Sequence, residues 1–168
     1  MRRSLLAVLT IALAFGGMGP VDAKKGTRCS GEFLVTITPG LSMEETSGTH
    51  DTGDKPGTAE CDGPVNGKKP TGTGTLKESG SYEASTCRSG KGDGTDILEI
   101  PTTGGVQKVV SDFTFTYGGP PRSPRGLAAG EFKGSRFTGR IEFTPTKGDC
   151  FSSPVTEARV FFEGVIHD

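Results

Sequence analysis

The chain has 168 residues, with 27 glycines, 11 prolines, no tryptophan and a formal net charge of −1 at pH 7. That balance gives no general attraction to nucleic acid or to an anionic membrane, and the length suits one domain rather than two. No stretch after the first 23 residues places apolar side chains at i, i+3, i+4 and i+7 over the roughly 11 residues an amphipathic helix needs, so short strands and many turns are expected.

In chain order, residues 1–23 (MRRSLLAVLTIALAFGGMGPVDA) have the build of a cleaved signal peptide. Arg2 and Arg3 form a positive start, Leu5 to Phe15 an apolar run too short to span a bilayer, and Val21-Asp22-Ala23 a cleavage site of small residues. Arg2-Arg3 also partly matches a twin-arginine signal, with an ordinary export signal preferred. Residues 24–168 are then a single exported domain, secreted and without membrane insertion after signal cleavage, because no later apolar run approaches the roughly 18 residues of a spanning helix.

Glu32 to Thr38 alternates Phe33, Val35 and Ile37 with polar residues, which predicts a half-buried strand closed by Pro39-Gly40. Ser42 to Gly57 is polar and acidic and reads as a mobile loop. Thr58 to Cys61 reads as a short strand, and Asn66-Gly67 as a type I′ turn. Thr71 to Glu78 and Ser81 to Arg88 read as two strands around a turn at Ser79-Gly80, and Ile97 to Ile100 as a strand closed by Pro101. Val106 to Tyr117 is a long strand with Val109, Phe113, Phe115 and Tyr117 on one face. Gly118 to Gly126 cannot continue a ladder because of its three prolines. Arg136 to Thr144 turns Phe137, Ile141 and Phe143 inward, and Glu157 to Ile166 does the same with Ala158, Val160, Phe162 and Ile166. About eight strands at hairpin spacing, without crossover helices, imply an all-β antiparallel fold. It is either a β-barrel or a two-sheet sandwich, and closure of the last strand on the first favours the barrel by hiding the edges.

Cys29, Cys61, Cys87 and Cys150 allow three pairings. Strand alternation puts the first three toward one end and Cys150 toward the other, which strains any simple meander. Cys29 with Cys61 and Cys87 with Cys150 is favoured. No Cys-x-x-Cys or zinc spacing occurs, so a structural role is expected, without metal or cofactor.

The histidines are His50 and His167. A hydrolytic arrangement of His50 with Asp51 or Asp54 would lack a Gly-x-Ser-x-Gly elbow and anything to hold the ring. Glu44, Glu45, His50, Asp51, Asp54, Glu60 and Asp62 could offer oxygens to calcium but lack a fixed spacing. Gly92 to Leu98 matches one calcium β-roll unit, a motif that works in tandem, so a hairpin turn explains it better. Pro121 to Arg125 reads as a rigid turn, and the Lys-Gly-Asp tripeptides at Lys91 and Lys147 as ordinary turn composition.

Cys29-Ser30-Gly31, Thr38-Pro-Gly-Leu-Ser42, the Gly-rich middle, Gly130-Glu-Phe-Lys-Gly134 and a cysteine before the last strand together give the chain its pattern. The pattern resembles a loose group of small secreted actinobacterial β-proteins. The resemblance implies an exported bacterial β-fold and carries over no catalytic residue.

The expected function is a non-enzymatic binding module for a small apolar ligand or for an envelope or host component. The alternatives are a secreted hydrolase using His50 with a loop carboxylate, and a self-associating envelope protein using the outward Phe161 and Val165.

Overall fold

The computed structural model describes residues 26–118 and 129–167. The signal peptide expected at residues 1–23 and the proline-bearing loop from residue 119 to 126 lie outside the described residues. Alternating apolar residues form nine strands: β1 (Thr27–Leu41), β2 (Thr46–Asp51), β3 (Gly57–Asp62), β4 (Gly74–Ser85), β5 (Gly90–Thr102), β6 (Gly105–Tyr117), β7 (Gly130–Gly134), β8 (Phe137–Lys147) and β9 (Val155–Ile166). They pair antiparallel in the order β2-β1-β3-β4-β5-β6-β7-β8-β9, and β1 with β9 and β2 with β4 close the sheet in a ring. Residues 36–38 of β1 oppose β2 and residues 28–32 oppose β3, so β2 and β3 occupy one place between β1 and β4. The ring therefore has eight places, in keeping with the all-β antiparallel fold of about eight strands that the alternation predicts.

Several boundaries differ from the sequence reading, each for a local reason. Ser42 to Gly57 is not a loop throughout, because β2 forms within it. Its inward residues Thr46, Gly48 and His50 are small or polar, so no apolar alternation marks the strand. Ser79-Gly80 is not a turn: β4 runs through it, with Gly80 opposite Gly94 of β5. A Cβ on Gly80 would lie 2.0 Å from the Asp93 carbonyl oxygen and 2.8 Å from His50 Cε1. The glycine is there for close approach, not for a bend. Gly92 to Leu98 and Lys91-Gly92-Asp93 lie inside β5, and the actual turn holds a Thr86 N–H bond to the Ser89 carbonyl at 2.8 Å. Pro39-Gly40 does not end β1, whose Leu41 pairs with Val155. Gly130–Gly134 forms β7, a strand the sequence reading does not include. Asn66 and Gly67 have φ of 49° and 71°, as the expected type I′ turn requires.

The disulfides are Cys29–Cys61 and Cys87–Cys150, the favoured pairing. The expected placement of Cys87 away from Cys150 is wrong. Dividing β4 in two puts Cys87 at the wrong end, and omitting β7 offsets that slip for Cys150; with one β4 and with β7 restored, both cysteines sit at the end where β4 and β8 finish. Cys29 and Cys61 are direct register partners at the other end.

Connections pack at both ends of the ring. At the Cys29 end the β3–β4 connection folds inward, burying Val65 almost completely, with Thr27 Oγ1 donating to the Pro64 carbonyl. The same connection reaches across to β8, where Arg136 Nη2 donates to Asn66 Oδ1 at 2.9 Å. At the far end the β4–β5 turn is tied down by Tyr117 Oη donating to the Thr86 carbonyl at 2.7 Å and by Cys87–Cys150.

Candidate functional site

Inward positions of all the long strands converge on one interior space. Its walls are apolar, with nine aromatic rings among the lining residues, and they enclose a cavity of about 80 Å³. Phe113 is the hub of the rings, with centroids 6.0 Å from both Phe115 and Phe132. A cavity of about 150 Å³ accepts benzene, and drug-sized ligands occupy roughly 300–1,000 Å³. This interior has room for a molecule of only a few heavy atoms.

Set into the apolar wall is a polar cluster contributed by three adjacent strands. His50 comes from β2, Glu78 from β4 and Asp96 from β5; Glu78 and Asp96 are direct register partners, and Asp96 in turn faces Ser111 of β6. All four line the cavity. His50 Nδ1 lies 2.7 Å from Glu78 Oε1, with the two side chains only 7% and 10% exposed. His50 Nε2 is buried with no hydrogen-bond partner among the described residues. The imidazole stands nearly perpendicular to Phe115, centroids 5.5 Å apart, and at 6.5 Å from Phe113.

Burial works to lower the His50 pKa, but the hydrogen bond and charge of Glu78, helped by the backbone at Asp93 and Ser81, outweigh it, and the net shift is upward from 6.5. Asp96 is held well above the ordinary carboxyl value of 3.8, first by burial and then by the charge on Glu78. Two tyrosines complete the titratable lining. Burial raises Tyr82, whose hydroxyl donates to the Pro39 carbonyl, and pushes Tyr117 up to about 12.

The sequence places His50 in an acidic loop and beside the wrong carboxylates. Asp51 points outward and accepts the Gly53 N–H at 2.7 Å, and Asp54 is exposed in the turn that follows. The partner of His50 is Glu78. Glu44, Glu45, Glu60 and Asp62 are not inward either, and among the described residues no group of three His, Cys, Asp or Glu side chains is placed to hold a metal ion. His167 is exposed, its Nε2 2.8 Å from Thr138 Oγ1. Phe161 is partly exposed on the outer face, next to β1. Glu78 and Asp96, absent from the sequence reading, had a usable signal: each is a charge at an inward position, Glu78 between Leu76 and Tyr82 in period-2 step, Asp96 two residues before Leu98.

No family model, curated protein or solved structure matches the chain.

Proposed function

We propose that the protein is an exported, non-enzymatic binding module that receives a small, largely apolar ligand inside the ring. The observation that carries the reading is the aromatic-walled cavity with a single polar cluster, the common layout of small-molecule sites. Its size argues for a ligand of a few carbons, not a large lipid. The two disulfides fit an oxidising extracellular compartment, and the resemblance to secreted actinobacterial proteins is in keeping with bacterial export.

Titration with propan-2-ol, followed by methyl NMR, tests this directly. The methyls of Val35, Leu98 and Val109, all buried against the cavity, are expected to shift saturably while the exposed Val106 methyls stay put. Shifts confined to surface residues would remove the interior reading.

The His50–Glu78 pair favours a second reading, a hydrolase with His50 as general base. It ranks below the first because no hydroxyl or thiol among the described residues bonds His50 Nε2. A panel of ester, peptide and glycoside substrates turned over by the wild type and not by His50→Gln would reverse that order.

A further inference from the structure

Inside the cavity the acids outnumber the cationic groups among the described residues. Glu78 and Asp96 stand side by side on neighbouring strands, the spacing of directly opposed antiparallel residues bringing their Cβ atoms to about 5 Å. One cationic group, His50, faces them, already bonded to Glu78 Oε1. Among the described residues that line the space none is a lysine or an arginine. The Asp96 carboxyl has no hydrogen-bond partner among the described residues, although the chain elsewhere ties its acids firmly, as with Asp149 and three backbone N–H groups of its turn. Around these acids the walls are aromatic, and the faces of such rings attract cations.

We infer that the interior site selects a small molecule with one positive charge, a protonated amine on an apolar body of about three carbons, its ammonium held between Glu78 and Asp96. This deepens the proposed function and rests on it. A buried ammonium is tolerated only when paired and hydrogen-bonded. Here an ionised Asp96 supplies the missing counter-charge, the free oxygens of both carboxylates accept its N–H bonds, and the rings of Phe113 and Phe115 flank the charge beside His50. The apolar body is left to the aliphatic wall of Leu98 and Val109. An uncharged ligand of the same shape gains the apolar contacts but leaves the second carboxyl without a partner.

The titratable groups that line the cavity are His50 on β2, Glu78 and Tyr82 on β4, Asp96 on β5 and Tyr117 on β6. Burial keeps the two tyrosines neutral. A cation binding between the acids favours the ionised form of Asp96, so binding is linked to proton release from that carboxyl.

The test is calorimetric titration at pH 7 with isopropylammonium and propan-2-ol, each in two buffers of different ionisation enthalpy. The expected result is that isopropylammonium binds about ten- to a hundredfold tighter than propan-2-ol, the range for a hydrogen bond to a charged group, with net proton release. Asp96→Asn, isosteric with the protonated acid and so compatible with the fold, is expected to abolish the release and bring the amine to the level of the alcohol without altering the alcohol. If propan-2-ol binds as tightly as the amine, the charge inference is overturned while the interior reading stands. If neither binds, both fall together.

Discussion

Asp96 and His50 each hold a proton in the folded ring that they give up more readily in the unfolded chain, and this sets a pH dependence. Both shifts are upward, so the stabilisation each provides is fully present below its unfolded value, near 3.8 for Asp96 and 6.5 for His50. It is lost as pH rises through the folded values. Stability should therefore decline from about pH 4 upward, with Asp96 responsible for the first part of the fall. Asp96→Asn removes that part: its Tm, followed by circular dichroism, is expected to match the wild type near pH 4 and to exceed it by a few degrees at pH 8. Parallel Tm profiles would show that Asp96 ionises freely. His50→Leu is expected to act in the opposite direction, because it strands a nine-tenths-buried Glu78 carboxylate; a loss of about 3–5 kcal/mol is typical of breaking a buried pair, and His50→Leu with Glu78→Leu should recover most of it in urea unfolding. The pair was not legible at residue level, since nothing about a histidine among acids and glycines says that the chain turns it inward. Two backbone ladders place it there, and ladders carry no side-chain signature.

At the scale of elements, the aromatic strands were readable and the glycine-rich ones were not. Period-2 alternation of large apolar residues marks β1, β6, β8 and β9, where burial and side-chain size coincide. In β4 and β5 the inward places include Gly80 and Gly94, so the alternation fades where His50 and the Phe113 ring lie across the sheet. Read as a turn former, Gly80 divides a strand and reverses the parity from there until the omitted β7 offsets it, which is why Cys87 was misplaced although the pairing itself held. The two roles of glycine separate by substitution. Gly80→Ala, with its Cβ driven against the Asp93 carbonyl and His50, is expected to cost about 1–3 kcal/mol or more from overpacking. Gly67→Ala, open on all sides but at φ of 71°, should cost only about 1–2 kcal/mol from its left-handed backbone. Denaturant midpoints for the two variants measure the difference, and a Gly80→Ala protein as stable as wild type would deny the close approach.

For the whole molecule, ring closure makes one interior, and the connections decide how it is reached. The β4–β5 and β8–β9 turns lie on opposite sides of the eight-place ring, and Cys87–Cys150 joins them. Cys29–Cys61 instead links strands that are already hydrogen-bonded neighbours. The loop-entropy estimate gives each bridge about 4 kcal/mol, slightly more for the longer Cys87–Cys150 span. Cys87→Ser with Cys150→Ser is expected to lose about that amount in urea unfolding and also to speed ligand exchange, whereas Cys29→Ser with Cys61→Ser should lower stability alone. Closure of the last strand on the first was foreseeable from antiparallel spacing and the need to hide edges. The short β2 and β7 and the inward carboxylates were not, because they follow from which backbones the closed ring brings side by side.

The central claim, that the ring interior receives the ligand, is tested most directly by diffraction from crystals of the protein held under xenon pressure. The account predicts a xenon peak inside the ring, in contact with Leu76, Leu98 and Val109, the aliphatic layer next to the acids along the strands. An interior free of xenon, with peaks only between molecules or on the outer face, would contradict it.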